Sequence, residues 1–496
     1  MTPGRTRLLL LLLFVGSGCA ALVYEVVWFQ LLELVIGSSA VSMGVLLGTF
    51  MGGMCLGSLL LPRVLPASAH PLRVYAFLEL GIGAIGLLVL FAMPLVGGAY
   101  TAWAGGGLGG VMFRGVTAAV CLLPPTLLMG ATLPAIARWV EATPRGVSWL
   151  GFFYGGNTAG AVLGSLVAGY YLLRVYDISI TTYVAVALNV IVALLALAVA
   201  ARTPYEPPQG VRIVDPARAR GARIVYVVIA LSGLTALSAE VIWTRILSMV
   251  FGATTYTFSL ILAVFLAGLG IGSSLGSALS RDIARPRAAL AWCQLGLCVT
   301  LAWAAYVLTQ SLPYWPVNPT ITADPWIQLQ LDLVRCMYTV LPGAILWGAS
   351  FPLALASVAS PDEDPARMVG RVYAANTLGA IGGSVGASMV LVVWVGSQHA
   401  QQVLIIIAAM AGLMLLWEEK VSFLAVAAAA AATSLLVLTV HPIPGILVAY
   451  GRYSATEVGG ADVIYVGEGW NASVAVSRRS NGVAWFSCRS IPAPCS

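Results

Sequence analysis

The stretch Ser17-Gly-Cys-Ala-Ala-Leu-Val-Tyr-Glu-Val-Val-Trp28 returns 215 residues later as Ser232-Gly-Leu-Thr-Ala-Leu-Ser-Ala-Glu-Val-Ile-Trp243. The register holds without a gap from Ser17–Ser58 to Ser232–Ser273. It pairs Gly18 with Gly233, Glu25 with Glu240, Trp28 with Trp243, Gly37 with Gly252, Phe50 with Phe265, Gly53 with Gly268 and Gly57 with Gly272. At an offset of 218, Pro124, Gly130 and Pro134 meet Pro342, Gly348 and Pro352; at 219, Tyr154, Asn157, Thr158, Gly160, Gly164 and Ser165 meet Tyr373, Asn376, Thr377, Gly379, Gly383 and Ser384. Shared hydrophobicity would match Leu with Val at random. Here Glu, Trp, Asn, Pro and Gly match in one order with a drift of four residues, which marks a duplicated unit.

The material between these blocks says where the unit resides. Sixty per cent of the 496 residues are hydrophobic and 9% are charged, against roughly 25% charged in a soluble globular chain. So apolar a chain has too few polar groups to cover one core, and the excess must face lipid. Stretches of the ~20 residues needed to cross a ~30 Å hydrocarbon layer recur at about 8–35, 40–62, 73–97, 115–140, 150–173 and 180–201. They recur again at 224–250, 255–279, 288–312, 331–359, 370–396 and 399–417, and a thirteenth is expected near 421–440. The predicted organisation is a first six-helix repeat at 1–201, a Pro- and Arg-rich linker at 202–223, a second repeat at 224–417, an extra helix within 418–445 and a tail at 446–496.

The net charge of +6 rests almost wholly on arginine, Lys420 being the only lysine. Arg5, Arg7, Arg63, Arg73, Arg138, Arg145, the linker arginines, Arg281, Arg285, Arg287, Arg367 and Arg371 fall on one side of the predicted spans. Arg114, Arg174 and Arg335 fall on the other. Basic connections mark the cytoplasmic side, so the expectation is a multi-pass inner-membrane protein with a cytoplasmic N-terminus. Arginines dispersed in short connections do not make a nucleic-acid surface. The opening Arg5, Arg7, leucine run and Gly16-Ser17-Gly18-Cys19 imitate a secretion signal. The repeat makes that stretch a membrane span instead.

Six spans separate equivalent positions, an even number, so the two copies run parallel. Parallel six-helix repeats are the architecture of the major facilitator superfamily, and the fold class expected is an all-α polytopic membrane protein of that kind. Small residues one turn apart, which let helices approach closely in lipid, mark spans 2, 5, 8 and 11: Gly48/Gly52, Gly53/Gly57, Gly160/Gly164, Gly268/Gly272 and Gly379/Gly383. In that superfamily the second and fifth helices of each half line the contact between halves.

Ionisable groups at membrane depth are the candidate binding residues, because each costs roughly 2.5–3.5 kcal/mol unless paired, protonated or wet. Glu25 and Glu240 could bind a cation or proton as a symmetric pair. Their conservation between copies, together with the tryptophan three residues on, favours a structural carboxylate bonded to a neighbouring helix. Glu79 against Gln294, and Gln30 against Arg245, stay polar but change charge between the copies, as an asymmetric substrate cavity would require. Asn157 and Asn376 are expected to bond across helices. No Cys-x-x-Cys pair, Ser/His/Asp set or paired soluble carboxylates occur, so no metal, cofactor or catalytic residue is expected. Gly105–Gly110 follows no strand and is read as an outer loop rather than a phosphate cradle. Cys488 and Cys495 could pair if the tail is extracytoplasmic.

The tail has a different texture. Ile464–Gly469 and Ala472–Val476 alternate like two strands of a hairpin. The elements Ala-Leu-Val-Tyr-Glu-Val-Val-Trp (21–28), Ala-Leu-Ser-Ala-Glu-Val-Ile-Trp (236–243) and Gly-Glu-Gly-Trp-Asn-Ala-Ser-Val-Ala-Val (467–476) resemble the fused membrane/spermidine synthase proteins. That family joins a facilitator-like helical unit to a polyamine aminopropyltransferase domain. The resemblance spans about residues 15–486 and implies that the tail is the opening hairpin of a synthase domain. The Gly-Gly-Gly-Asp-Gly loop and acidic residues of that family do not follow, and some 50 residues cannot bury an enzyme core. Three functions stay open at this point. They are transport or sensing of a polyamine or other small cationic solute, anchoring of a synthase encoded elsewhere, and a membrane scaffold. The partners implied are the bilayer, a small cation, and a separate synthase domain or a second copy of the chain; nucleic acid is not among them.

Overall fold

A computed structural model describes residues 3–36, 40–66, 68–103, 108–139, 144–203, 205, 216–252, 254–316, 324–359, 365–469, 472–479 and 484–490. Six helices form the first repeat: α1 (Pro3–Ile36), α2 (Ala40–Val64), α3 (Pro71–Trp103), α4 (Leu108–Ala137), α5 (Pro144–Leu166) and α6 (Ile178–Ala200). The second repeat follows as α7 (Pro216–Phe251), α8 (Thr255–Leu279), α9 (Pro286–Tyr306), α10 (Pro325–Val358) and α11 (Pro365–Gly386). Its last helix, α12, is residues 397–418 of the segment Val392–Glu418, which breaks at Gly396 with φ 78° and ψ 163°. Among the described residues, eleven segments are long and apolar enough to cross a membrane, and one of them runs 54 residues from Pro365 to Glu418. At 1.5 Å per residue that segment would reach about 80 Å. The left-handed φ at Gly396, open to a residue without Cβ, divides it into two crossings.

The duplication written in the sequence is present in the packing. In the first repeat α2 packs on α4, α1 on α5 and α3 on α6; in the second α8 packs on α10, α7 on α11 and α9 on α12. The local irregularities repeat as well. α5 continues through a π-helical segment, Val167–Leu172, and α11 through another at the matching place, Ala387–Leu391. The halves meet where α5 runs along α8 and α2 along α11.

The glycines divide between these two kinds of contact. Gly48 and Gly52 face Ile381 of α11 across the halves. The remaining eight of the ten singled out instead close helix pairs inside each half. A Cβ at Gly53 or Gly57 would overlap Thr126 or Leu127 of α4, and one at Gly160 or Gly164 the carbonyls of Val15 or Cys19 in α1. Gly268 and Gly272 meet Ala344 and Ile345 of α10, and Gly379 and Gly383 meet Ala230 and Leu234 of α7. The reason is geometric. The closest helix crossings lie inside each bundle, and a side chain at those positions would prop the backbones apart.

A further helix, α13 (Phe423–Leu438), is 16 residues long, shorter than the other crossings. It runs antiparallel to α12, whose Gln402 and Gln398 amides donate to the carbonyls of Val437 (3.1 Å) and Val440 (2.9 Å). The chain therefore reaches the face opposite the one at which α1 begins. We call these the far and near faces. On the far face come α14 (Gly445–Tyr450), a 3-10 turn Gly451–Glu457, and a three-stranded antiparallel sheet, β1 (Ala461–Glu468), β2 (Ala472–Arg479) and β3 (Ala484–Ser490), in the order β1-β2-β3. The expected hairpin thus has a third strand, because β2 pairs β3 from Ala472↔Ser490 to Arg478↔Ala484. On β2, Ser473, Ala475 and Ser477 are buried in strict alternation, the period of a sheet with one covered face.

Two expectations about connections change. The linker read as 202–223 is already helical from Pro216, where α7 begins; Pro204 and residues 206–215 lie outside the described residues. Of Gly105–Gly110, residues 105–107 also lie outside them, while Leu108–Gly110 open α4 rather than forming a loop.

Candidate functional site

Along α1, Ser17, Ala21 and Glu25 are spaced by four residues and so share one helix face. Ser232, Ala236 and Glu240 do the same on α7. Because the two helices occupy equivalent places in parallel repeats, both faces turn to the contact between the halves. There they line one cavity of about 210 Å³. α5 and α11 add Tyr154, Asn157, Thr158 and Ala161, and Tyr373, Asn376, Thr377 and Ala380. α2 and α8 add Phe50 and Phe265, Met51 and Leu266, Met54 and Leu269. α4 and α10 add Met129 and Leu133, and Trp347 and Phe351.

Glu25 and Glu240 are 8% and 7% exposed. Neither carboxylate has a hydrogen bond or an ion pair among the described residues. The nearest tryptophans are occupied elsewhere or out of reach. Trp347 donates its indole N–H to Thr235 Oγ1 at 3.1 Å. Trp28 stacks on Tyr24 at 5.1 Å between ring centroids, and Trp243 tilts against Trp347 at 5.6 Å. Trp243 Nε1 is itself buried without a partner. Two acidic groups therefore face one small, largely apolar chamber, with Ser, Thr and Asn around them and no basic side chain among its described lining residues. Asn157 and Asn376 line this chamber, and neither side chain bonds another described group. The backbones of Gly18 and Gly233 lie against their carbonyl ends.

The charge-changing pairs lie elsewhere. Glu79 on α3 is wholly buried inside the first bundle, where Ser17 Oγ and Asn189 Nδ2 each donate to its carboxylate at 2.5 Å. Gln294 stands in the equivalent place on α9 and donates to Ser350 Oγ at 2.9 Å and Ser232 Oγ at 3.4 Å. Each is one shell behind the cavity wall, reaching it through Ser17 or Ser232. Arg245 leaves the cavity altogether. Its guanidinium donates to the carbonyls of Gly469 (2.8 Å) and Ala472 (3.3 Å) and to Ser473 Oγ (3.1 Å), at the β1–β2 turn. Its counterpart Gln30 is half-buried and is not part of the cavity lining.

More contacts pin the tail to the same half. Glu468 accepts from the backbone N–H (2.9 Å) and hydroxyl (2.6 Å) of Ser397, at the start of α12. Arg452 donates to Phe251 O (2.7 Å) and pairs with Asp332 of α10 at 2.7 Å. Ser454 Oγ donates to Pro313 O at 2.6 Å. Every one of these anchors belongs to the second repeat. Cys488 is disulfide-bonded, the other six described cysteines are free, and Cys495 lies outside the described residues.

Sequence reading passed over the hydrophobic lining. Met129 against Trp347 and Leu133 against Phe351 are matched positions at the offset of 218 that change from aliphatic to aromatic between the copies. The signal was available in the alignment, but apolar-for-apolar exchange looks like ordinary core drift until the cavity identifies the face.

No protein-family model and no curated protein matches the sequence. Solved structures do match in fold. The major facilitator superfamily transporter FucP in its outward conformation aligns over 83% of this chain and 98% of its own, with 16% identity and a TM-score of 0.54. A bacterial homologue of the iron transporter ferroportin, outward-facing with soaked iron, aligns over 84% and 99% (14% identity, TM-score 0.54). The proton:xylose symporter XylE aligns over 84% and 96% (14% identity, TM-score 0.53). The chain is a multi-pass membrane protein with the major facilitator fold. At these identities the likeness concerns the fold alone, and nothing in the comparisons supports the synthase resemblance.

Proposed function

We propose that this protein carries a small cationic solute across the membrane, binding it in the central cavity between Glu25 and Glu240. One observation carries the reading: both carboxyl groups line a shared chamber at the contact between the halves and have no partner among the described residues. Each such group costs roughly 2.5–3.5 kcal/mol at membrane depth, and a cation between the two would offset that cost. Parallel repeats of this fold rock about a site near the midplane, which exposes the chamber to one face and then the other. The structural neighbours are described as transporters, two of them proton symporters, so protons are a second cation for the same carboxylates.

The tail's sequence resemblance makes polyamines the first solutes to test. Purified protein in liposomes should accumulate a labelled polyamine, and the double substitution Glu25→Gln/Glu240→Gln should lower the rate roughly 100-fold, the equivalent of about 2.7 kcal/mol. Uptake that survives the double substitution, or no uptake of any amine by the unaltered protein, would overturn the reading.

On this reading α1 begins in the cytoplasm and the sheet lies outside. The basic connections of the near face and the disulfide-bonded Cys488 support that orientation, since disulfides persist in oxidising compartments. A periplasmically active reporter fused after Ser496 should be active; an inactive one reverses the orientation. The β1–β2 segment and its resemblance to a synthase opening favour a second reading, in which the helical unit anchors an aminopropyltransferase domain at the far face. Affinity capture of such a transferase through the tail would support it.

A further inference from the structure

On the lipid-facing side of the first repeat, a groove of about 400 Å³ runs between α1 and α6, lined by Leu9, Leu12, Gly16, Leu188, Ile191 and Leu195 and ending at Arg202. Leu12, Ile191 and Leu195 are each more than half exposed, so the groove opens to the bilayer rather than to the central cavity. From Leu188 to Ala200, where α6 ends, it follows twelve helical steps, about 18 Å at 1.5 Å per residue, with Arg202 two residues beyond. That is a little more than one leaflet of a ~30 Å hydrocarbon core.

Its polar end sits at headgroup level. Arg202 is exposed and stands one residue before Thr203, whose carbonyl is bonded to His70 Nε2 at 2.9 Å. The rings of His70, Trp139 and Tyr205 cluster there at 5.6–6.2 Å between centroids, as aromatic side chains do at a membrane–water boundary. Arg5 and Arg7 begin α1 at the same end.

The second repeat differs from the first at two positions of the groove. The buried faces of α6 and α12 match at the offset of 219: Thr181, Thr182, Ala185, Asn189, Val192 and Ala193 against Ala400, Gln401, Leu404, Ala408, Ala411 and Gly412. That register puts Trp417 where the first repeat has Ala198. The 215 register carried down α1 and α7 puts Leu231 where the first repeat has Gly16. Larger side chains stand at both positions in the second repeat.

We propose that the α1–α6 groove binds one anionic phospholipid of the near-face leaflet, its acyl chain in the groove and its phosphate on Arg202. An apolar channel of leaflet length that opens to lipid and ends in one basic side chain matches one acyl chain and the single phosphate of a diacyl lipid, whose second chain stays in the bilayer. A soluble anion would use the arginine and leave the channel empty.

The full-length protein, reconstituted in nanodiscs of phosphatidylethanolamine and phosphatidylglycerol, is then stripped with detergent and weighed by native mass spectrometry. One phosphatidylglycerol should remain per chain. Arg202→Gln should lower its retention roughly fivefold, the equivalent of one basic residue at an anionic surface, and Arg202→Lys should keep it. Ala198→Trp, which copies the second repeat on an exposed position, should displace the lipid without touching the charge. Equal retention by the unaltered protein and both loss variants would overturn the site. Equal retention of the zwitterionic lipid would overturn the headgroup assignment.

Discussion

The two repeats carry the same serine, alanine and glutamate on α1 and α7, yet what surrounds those helices differs between the halves. Behind Ser17 the first repeat buries Glu79 with Asn189; behind Ser232 the second buries Gln294 with Ser350. At the far end of the first repeat Gln30 stands half-buried, whereas the second has Arg245 clasping the tail sheet. The first repeat also opens a groove to lipid at Gly16 and Ala198, and the second has Leu231 and Trp417 at those positions. The difference teaches that duplication held constant the polar residues of the shared cavity, Ser17/Ser232, Glu25/Glu240, Asn157/Asn376 and Thr158/Thr377, while part of its apolar lining changed. Polar divergence went to positions away from the cavity: the buried pair Glu79 and Gln294, and Gln30 against Arg245, of which only Arg245 holds the C-terminal tail.

The most damaging way to probe this comparison is at the tight crossings that both halves need. Gly160→Val and Gly379→Val place side chains on the carbonyls of Val15 and Ala230. Both variants should lose most of their detergent-stable monodisperse protein on size exclusion, since overpacking costs about 1–3 kcal/mol or more per site. Gly386→Ala, with nothing within 4 Å of the added methyl, should match the unaltered protein. If only one of the two valine variants fails, the halves are not equivalent in packing.

A smaller effect is expected where the halves differ by design. Arg245→Gln leaves the carbonyls of Gly469 and Ala472 without their charged donor, a loss of about 2 kcal/mol. Limited proteolysis should then release residues after Tyr450 roughly 30-fold faster, while Gln30→Arg changes nothing. Unchanged proteolysis in the Arg245 variant would mean that the other anchors, Arg452 and Glu468, hold the sheet alone.

The smallest effect is expected at Glu79→Gln, which gives the first half the second half's side chain. Asn189 Oδ1 is buried without a partner, so a glutamine N–H has an acceptor waiting and the Ser17 hydroxyl keeps its own. Thermal unfolding followed by tryptophan fluorescence should shift by no more than about 1 kcal/mol, with solute uptake within about twofold. A collapse of uptake in this variant would move the functional carboxylate from the cavity wall to the shell behind it.

Much of this was legible in the sequence. The spans, their number and the parallel duplication follow from hydropathy and from three matched blocks, because lipid and helix geometry leave few alternatives; the contact of α2 and α5 with α11 and α8 was expected only from the resemblance to the major facilitator architecture. The candidate polar residues could also be picked out, but not sorted. Glu25 and Glu79 look alike as lone carboxylates in apolar spans. Whether each faces a chamber or a neighbouring serine depends on the rotation of its helix against partners 62 or 110 positions away in the chain. Arg245 looked like a cavity residue until the β1–β2 turn, more than 220 positions later, was found upon it.

The sequence by itself determined that two parallel six-helix copies cross a bilayer, since so apolar a chain must face lipid and its matched blocks lie an even number of spans apart. The four-residue spacing also put Ser17, Ala21 and Glu25 on one face of α1, and Ser232, Ala236 and Glu240 on one face of α7. Only the tertiary structure decided that the two faces meet in one chamber, that the tail packs on the second half, and that a groove opens between α1 and α6. Those outcomes depend on contacts between distant segments, which local periodicity cannot encode.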